Sequence, residues 1–210
     1  MLEFRLVYQG LLQGSDEKNT RSEHKHAIRR YFHKQLVRLW EVKQPLKGRA
    51  EFHYRHSDAQ TGVTVDKTGI DLVTDRFSLG GQKFIPIVQK EWSLSCSLDI
   101  LLLRRDHFPL INSGDLDNRV KTLLDALRIP TVGEYCQGDE NPLYCLLEND
   151  NLVSELKVTA DLLMCPPEQI VHSPNVNIYG EQTVKDIHAL ALIHVMIKPT
   201  HVAAGNLDFV

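Results

Sequence analysis

Trp92-Ser-Leu-Ser-Cys-Ser-Leu-Asp-Ile-Leu-Leu-Leu103 and, after a short loop, Asp115-Leu-Asp-Asn-Arg-Val-Lys-Thr-Leu-Leu-Asp-Ala-Leu127 decide the fold. In the first stretch Trp92, Leu94, Cys96, Leu98, Ile100 and Leu102 alternate with Ser93, Ser95, Ser97 and Asp99. A period of two is that of a strand with one buried face. In the second stretch Leu116, Val120, Leu123, Leu124 and Leu127 recur every three or four residues, the apolar stripe of a helix, and Pro130 stops it. A strong strand feeding a helix predicts an α/β (α+β) class: a small mixed β-sheet packed by two main helices.

Working outward, residues 3–9 alternate well enough for a first strand, and Gly10 to Asn19 reads as a loop. From Ser22 to Val42 the residues Ile28, Tyr31, Phe32, Leu36, Leu39 and Trp40 form a second helical stripe, with Arg30, Lys34 and Arg38 on another face. The plain reading of that basic face is a solvated surface; His24-x-His26 reads as a solvated helix entrance. Residues 44–91 read as an insertion. Ala50 to Tyr54 and Gly69 to Val73 look strand-like there, and Phe77 to Val88 looks like a hairpin turning at Gly80-Gly81. Those glycines lack the spacing and the Lys-Ser/Thr ending of a phosphate-binding loop. Downstream come a loop over 131–145, a strand over 152–160, a loop over 163–182 and an apolar central strand from Ala189 to Ile197. Residues 201–210 read as a flexible tail. The whole chain, 1–210, is expected to form a single domain.

Composition narrows the class. Of 210 residues, 42% are hydrophobic and 24% charged, values that permit a buried core and exclude disordered or fibrous chains. No apolar run approaches the roughly 20 residues that cross a bilayer, and Met1-Leu2-Glu3-Phe4-Arg5 is not a signal-peptide pattern, so a cytoplasmic protein with no membrane partner is expected. Cys96, Cys136, Cys145 and Cys165 form no C-x-x-C pair and read as reduced thiols, with a zinc site involving His172 as the lesser alternative. The net charge is −3, but residues 1–50 hold eleven Lys or Arg against five Asp or Glu, a balance of +6 that leaves −9 for the rest. Any nucleic-acid contact must therefore rest on local basic patches: Arg30, Lys34 and Arg38, with Arg104, Arg105 and Arg119.

The chemistry concentrates at the start of the second helix. Asp115 and Asp117, one residue apart at a helix start, can converge on one ion. Asp is also favoured there simply because it caps backbone N–H groups and complements the helix dipole. Capping leaves unexplained why Asp117, Lys121 and Asp125 follow one another at four-residue spacing on one side of the helix. A second acidic run, Glu148-Asn149-Asp150, precedes the strand at 152–160. Three carboxylates drawn from Asp115, Asp117 and Asp150 would suit Mg²⁺ or Mn²⁺, which prefer oxygen ligands. Lys121 would then meet the scissile phosphate or the leaving oxygen.

Asp115-Leu-Asp117-Asn118, then Lys121, then Asp125-Ala-Leu, preceded by a strand and followed by the acidic turn at 148–150 and a Val-containing strand, resembles the RusA-type Holliday-junction resolvases. The resemblance covers roughly residues 92–160, with looser similarity of the first strand, the basic helix and the last strand. It implies metal binding by Asp115, Asp117 and Asp150, catalysis assisted by Lys121, and a homodimer cutting branched DNA symmetrically. Glu148, Asn149, Asp125 and Asn118 would stand beside those ligands. The chain departs from the family in three respects: Asn149 stands where a second aspartate is usual, the segments 44–91, 131–145 and 163–182 lengthen the chain, and the overall charge is acidic. Nucleases acting on flaps, single strands or RNA, and a non-catalytic nucleic-acid-binding protein on the same fold, are the alternatives.

Overall fold

The alternation at the centre of the chain becomes a strand, β6 (Leu94–Arg104), in which Leu94, Cys96, Leu98, Ile100 and Leu102 are buried. Trp92 and Ser93 precede it in a turn. The computed structural model describes residues 1–13, 22–57, 64–104, 115–134, 138, 140–164 and 188–210, with the side chains of Asp115, His188 and Ala204 left out of that description. Of the regions read from sequence, the loop residues 105–114 with Arg105, most of 163–182, and Cys136, Cys165 and His172 lie outside it.

β6 lies inside a four-stranded mixed sheet of order β1-β9-β6-β8, where β1 is Leu2–Leu11, β8 Val153–Leu162 and β9 His188–Pro199. β9 is central and antiparallel to both neighbours, while β8 runs parallel to β6. Parallel neighbours need a crossover, and this one carries helix α4 (Asp115–Leu127). On β9, Ala189, Ala191, Ile193, Val195 and Ile197 are buried and the alternate residues are half-buried, so one sheet face makes the core.

Helix α1 (Ser22–Val42) has the expected bounds and covers that face with Ile28, Phe32, Leu36 and Trp40. α4 adds Leu123, Ala126 and Leu127 to the same apolar cluster. These two long helices and the mixed sheet make the protein mixed α+β. No helix among the described residues is long and apolar enough to cross a membrane.

The segment 44–91 differs from the sequence expectation. Of the run read as strand-like at 50–54, Ala50 and Glu51 end a short helix, α2 (Leu46–Glu51), and His53 and Tyr54 begin a strand, β2 (His53–Ser57), while residues 69–73 lie in a second short helix, α3 (Gly69–Thr74), which follows the partner strand β3 (Thr64–Thr68). α3 starts with a reciprocal cap: the Thr68 hydroxyl accepts from the Asp71 N–H while the Asp71 carboxylate accepts from the Thr68 N–H. The hairpin at the end of the segment is present as β4 (Ser78–Leu79) and β5 (Gln82–Val88), with φ of 57° at Gly80 and 86° at Gly81. Two consecutive positive φ values match the twist of a two-residue hairpin turn and favour glycine at both positions.

β5 is no peripheral decoration. It pairs in parallel with β7 (Leu143–Leu147), a strand whose first three residues fall in the stretch expected to be a loop, and Ile85, Ile87 and Val88 join the main core. The C-terminal residues are docked as well. A 3-10 run, Ala204–Phe209, buries Phe209 completely against Trp92, and Asn206 donates from Nδ2 to the carbonyls of Trp92 and His201 at 2.9 Å each. Arg49 lies over Trp92 at 4.3 Å and over Phe209 at 4.9 Å, cation–π contacts worth about 0.5–1 kcal/mol each.

Candidate functional site

The acidic helix start lies at the beginning of α4, where Asp115 is the first helical residue. Negative charge there complements the positive end of the helix dipole by about 0.3–1 kcal/mol. Val120, Leu123, Ala126 and Leu127 hold the helix to the core. Asp117 and Lys121, one turn apart, both face solvent, and neither has an ion-pair or hydrogen-bond partner among the described residues. Asn118 is half-buried, and its carbonyl accepts from the Thr122 hydroxyl at 3.0 Å.

Asp125, the third member of the same four-residue series, has the opposite fate. Its side chain is buried, with its carboxylate 2.7 Å from the Lys25 Nζ of α1 and 2.7 Å from an Arg128 nitrogen. Glu134, on a 3-10 turn at Val132–Glu134, meets the same two cations at 2.9 Å each. Two cations and two anions thus close a buried ring. Burial opposes ionisation of Glu134, but the Lys25 hydrogen bond and the positive fields of Arg128 and Lys25 prevail and hold its carboxyl down to about 2. Arg128 is pushed the other way: burial works against its charge, while Glu134, Asp125 and Asp150 raise its pKa. Arg29, also buried, donates to the Asp125 carbonyl at 2.7 Å and the Arg128 carbonyl at 3.1 Å, serving carbonyls left unpaired at the end of a helix. Asp125 is thereby committed to structure rather than to a metal neighbourhood.

The second acidic run occupies the turn between β7 and β8. The Glu148 N–H donates to Val88 O at 3.0 Å and its carboxylate accepts from the Lys90 N–H at 2.8 Å, which ties this turn to the end of β5. Asn149 caps the 3-10 turn Asp150–Leu152, its side chain accepting from the Asn151 N–H at 3.1 Å. An aspartate could make the same cap, so Asn149 keeps the turn while giving up a charge. Asp150 itself is exposed. β7 leads to it from beside the C-terminal end of α4, where Arg128 bridges to Leu147, and Asp117 stands about three turns up that helix. The structure brings Asp117 and Lys121 onto one exposed strip and sets Asp150 toward the other end of α4. No group of three acidic, histidine or cysteine side chains with the spacing of a metal site occurs among the described residues, which do not include the Asp115 carboxylate.

The basic residues also sort by burial. Lys34 and Arg38 are exposed, and Arg38 pairs with Glu41 at 3.0 Å. Arg30 is half-buried against Glu140 at 2.7 Å. Arg104 and Arg119, expected on a DNA-facing surface, are buried, so neither presents an open charge to a phosphate. His24, expected in solvent, is buried too and accepts from the Gln13 N–H at 3.2 Å. Lys25 and Arg29 escaped the sequence reading, although their positions relative to Ile28 and Phe32 place them on the buried stripe. Cys96 and Cys145 are buried thiols, each pushed up to about 12 by burial and therefore poor nucleophiles.

Comparison of the chain with models of known protein families, with curated proteins and with solved structures returned no match.

Proposed function

We propose that the protein is a Mg²⁺- or Mn²⁺-dependent endonuclease acting on branched DNA, with Asp115 and Asp117 as the centre of the metal site and Lys121 as the cation facing the phosphate; Asp150, toward the other end of α4, stands outside that centre. The observation that carries the reading is the contrast on α4: Asp117 and Lys121 are charged, exposed and committed to no partner among the described residues, whereas Asp125 of the same series is fully engaged. Charges held out to solvent on a rigid helix, next to a helix N-terminus, suit an ion and a polyanionic substrate. The donor chemistry fits, since carboxylates are what Mg²⁺ and Mn²⁺ take.

A divalent ion bound there would neutralise phosphate oxygens and make water a better nucleophile at neutral pH. The carboxylates of Asp115 and Asp117 would orient it. Lys121, one turn further along, would place its ammonium against the scissile phosphate and stabilise charge on the leaving oxygen. A homodimer would present two such sites to a symmetrical junction, in keeping with the RusA resemblance.

The test is cleavage of labelled four-way junction, flap, linear duplex and RNA substrates with Mg²⁺ or Mn²⁺, using wild-type protein, Asp117→Asn and Asp150→Asn. Junction cutting by wild type and by Asp150→Asn, with loss in Asp117→Asn, supports the proposal. Equal loss in Asp150→Asn would overturn the placement of Asp150 outside the metal centre. Equal cutting of duplex and junction would defeat the junction assignment, and binding without cutting under either ion would favour a nucleic-acid-binding scaffold.

A further inference from the structure

The four-stranded sheet has two edges, and they are finished differently. On β1 the Gln35 side chain of α1 covers the edge: its Oε1 accepts from the Val7 N–H at 2.9 Å and its Nε2 donates to the Val7 carbonyl at 2.7 Å. At the other edge β8 pairs with β6 and with no other strand. Alternate residues of a strand turn their N–H and C=O groups to opposite sides, so about half of the backbone groups of this strand point away from β6. Bonds outside the ladder serve its two ends, where the Val153 N–H donates to the Asp150 carbonyl and the Leu162 N–H to the Asp161 carboxylate at 2.7 Å. Between them no backbone group on the free side has a partner among the described residues. The strand, Val153-Ser-Glu-Leu-Lys-Val-Thr-Ala-Asp-Leu162, holds no proline to block pairing. Leu156, beside Leu98 of β6, is 42% exposed. Lys157, which meets Asp99 of β6 at 2.8 Å, is the kind of residue that guards an edge, but Glu155 stands two positions before it with the opposite sign.

We propose that β8 pairs antiparallel with β8 of a second copy about a two-fold axis at Leu156, joining two four-stranded sheets into one. That axis sets Glu155 opposite the partner's Lys157, Lys157 opposite the partner's Glu155, and the two exposed Leu156 side chains against each other. Unlike charges and apolar pairs directly opposite stabilise an antiparallel ladder, and like charges there weaken it. The charge order also fixes the register. An axis one residue earlier would oppose two Glu155 carboxylates, and one residue later two Lys157 ammonium groups. An extended segment of another protein could satisfy the same backbone groups, but this self-complementary order gives advantage to a second copy, as a two-fold interface requires. Paired residues project from the same face, so the covered faces of both sheets, each with its α4, lie on one side of the joined sheet. The homodimer entered with the nuclease reading; the surface assigned to it here rests on β8 and not on the α4 carboxylates.

Analytical ultracentrifugation of the full chain over a dilution series tests this. The wild type should sediment as a dimer, and its β8 amides should exchange hydrogen more slowly as the dimer fraction rises. Glu155→Lys sets like charges opposite at both pairs and should weaken the dimer at least about tenfold. Lys157→Glu should act in the same direction, and the double variant, which restores unlike pairs, should dimerise more tightly than either single one. Leu156→Lys, which puts two like charges on the axis, should leave a monomer. All three positions are exposed, so circular dichroism should report wild-type folding. Should Leu156→Lys fail to fold, the charge exchange decides. A monomeric wild type overturns the proposal, as does a dimer equally tight in Glu155→Lys or a double variant no tighter than its single parents. A monomer that cuts junctions defeats this interface alone, whereas a dimer that cuts no substrate defeats the nuclease reading alone.

Discussion

The two ends of α4 carry the same kinds of residue and use them in opposite ways. At the N-terminal end Asp117 and Lys121 are exposed and have no internal partner among the described residues. At the C-terminal end Asp125 and Arg128 are joined to Lys25 and Glu134 in a buried ring. What separates them is cover: α1 lays Lys25 and Arg29 across the last turns of α4, and the 132–134 turn closes over the same end. An acid that is buried must be matched by a cation or it would not ionise. An acid left in water carries no such obligation and is available for a ligand. The lesson is that carboxylates two turns apart on a single helix can be left in opposite environments, one in water and one in a buried ionic ring.

Breaking the buried end should produce the largest effect. Lys25→Met leaves Asp125 and Glu134 sharing Arg128 alone, and removing one partner from a buried ionic group costs roughly 3–5 kcal/mol. Thermal or urea unfolding followed by circular dichroism measures it; a loss below about 1 kcal/mol would mean that the ring relaxes or admits water. At the exposed end Asp117→Asn should behave in the reverse sense. Stability should stay within about 0.5 kcal/mol of wild type, as for ordinary surface changes, while metal-dependent junction cleavage falls by at least about a hundredfold, or 2.7 kcal/mol. A variant equally active would show that the exposed acids are only capping groups.

Acid separates the two ends without mutation. Glu134 is held at about 2 in the folded protein against an ordinary 4.5, so its folded pKa is depressed. The stability it contributes is present above about pH 4.5 and is lost as pH falls from there toward 2, on the order of 3 kcal/mol in all. Urea midpoints measured from pH 6 to pH 3 should fall for wild type and fall less for Glu134→Gln, which starts lower because it has already lost the charge. Parallel curves would dissociate Glu134 from the acid response. The smallest effect belongs to the exposed cations: Lys34→Gln or Arg38→Gln should reduce the slope of log binding constant against log salt for DNA by about 0.9 each, with no change in unfolding midpoint. An unchanged slope would remove α1 from the nucleic-acid surface.

Part of this molecule was legible from residue order because long elements repeat their signal. Five alternations on β6, and four turns of apolar stripe on α1, leave little room for another period. Six-residue α2 and α3 complete fewer than two turns, too short for a helical stripe to outweigh a strand-like run. The Thr68-x-x-Asp71 cap was the available sign of α3. β7 was hidden for a related reason. It is buried on both faces apart from Tyr144, which is half-buried, so its five residues show no useful alternation.

At the candidate site the division falls along α4 itself. The sequence by itself determined that α4 is a helix, that Asp115 begins an acidic N-terminus, and that Asp117, Lys121 and Asp125 share a side, because 3.6 residues per turn is a local property of the backbone. Only the tertiary structure decided that Asp125 turns from solvent into an ionic ring, that Arg104 and Arg119 are buried, and that the last residues dock through Phe209. Burial depends on which distant segment covers a side chain. Lys25 lies 100 residues from Asp125 and Arg49 lies 160 from Phe209, separations at which no local periodicity carries information.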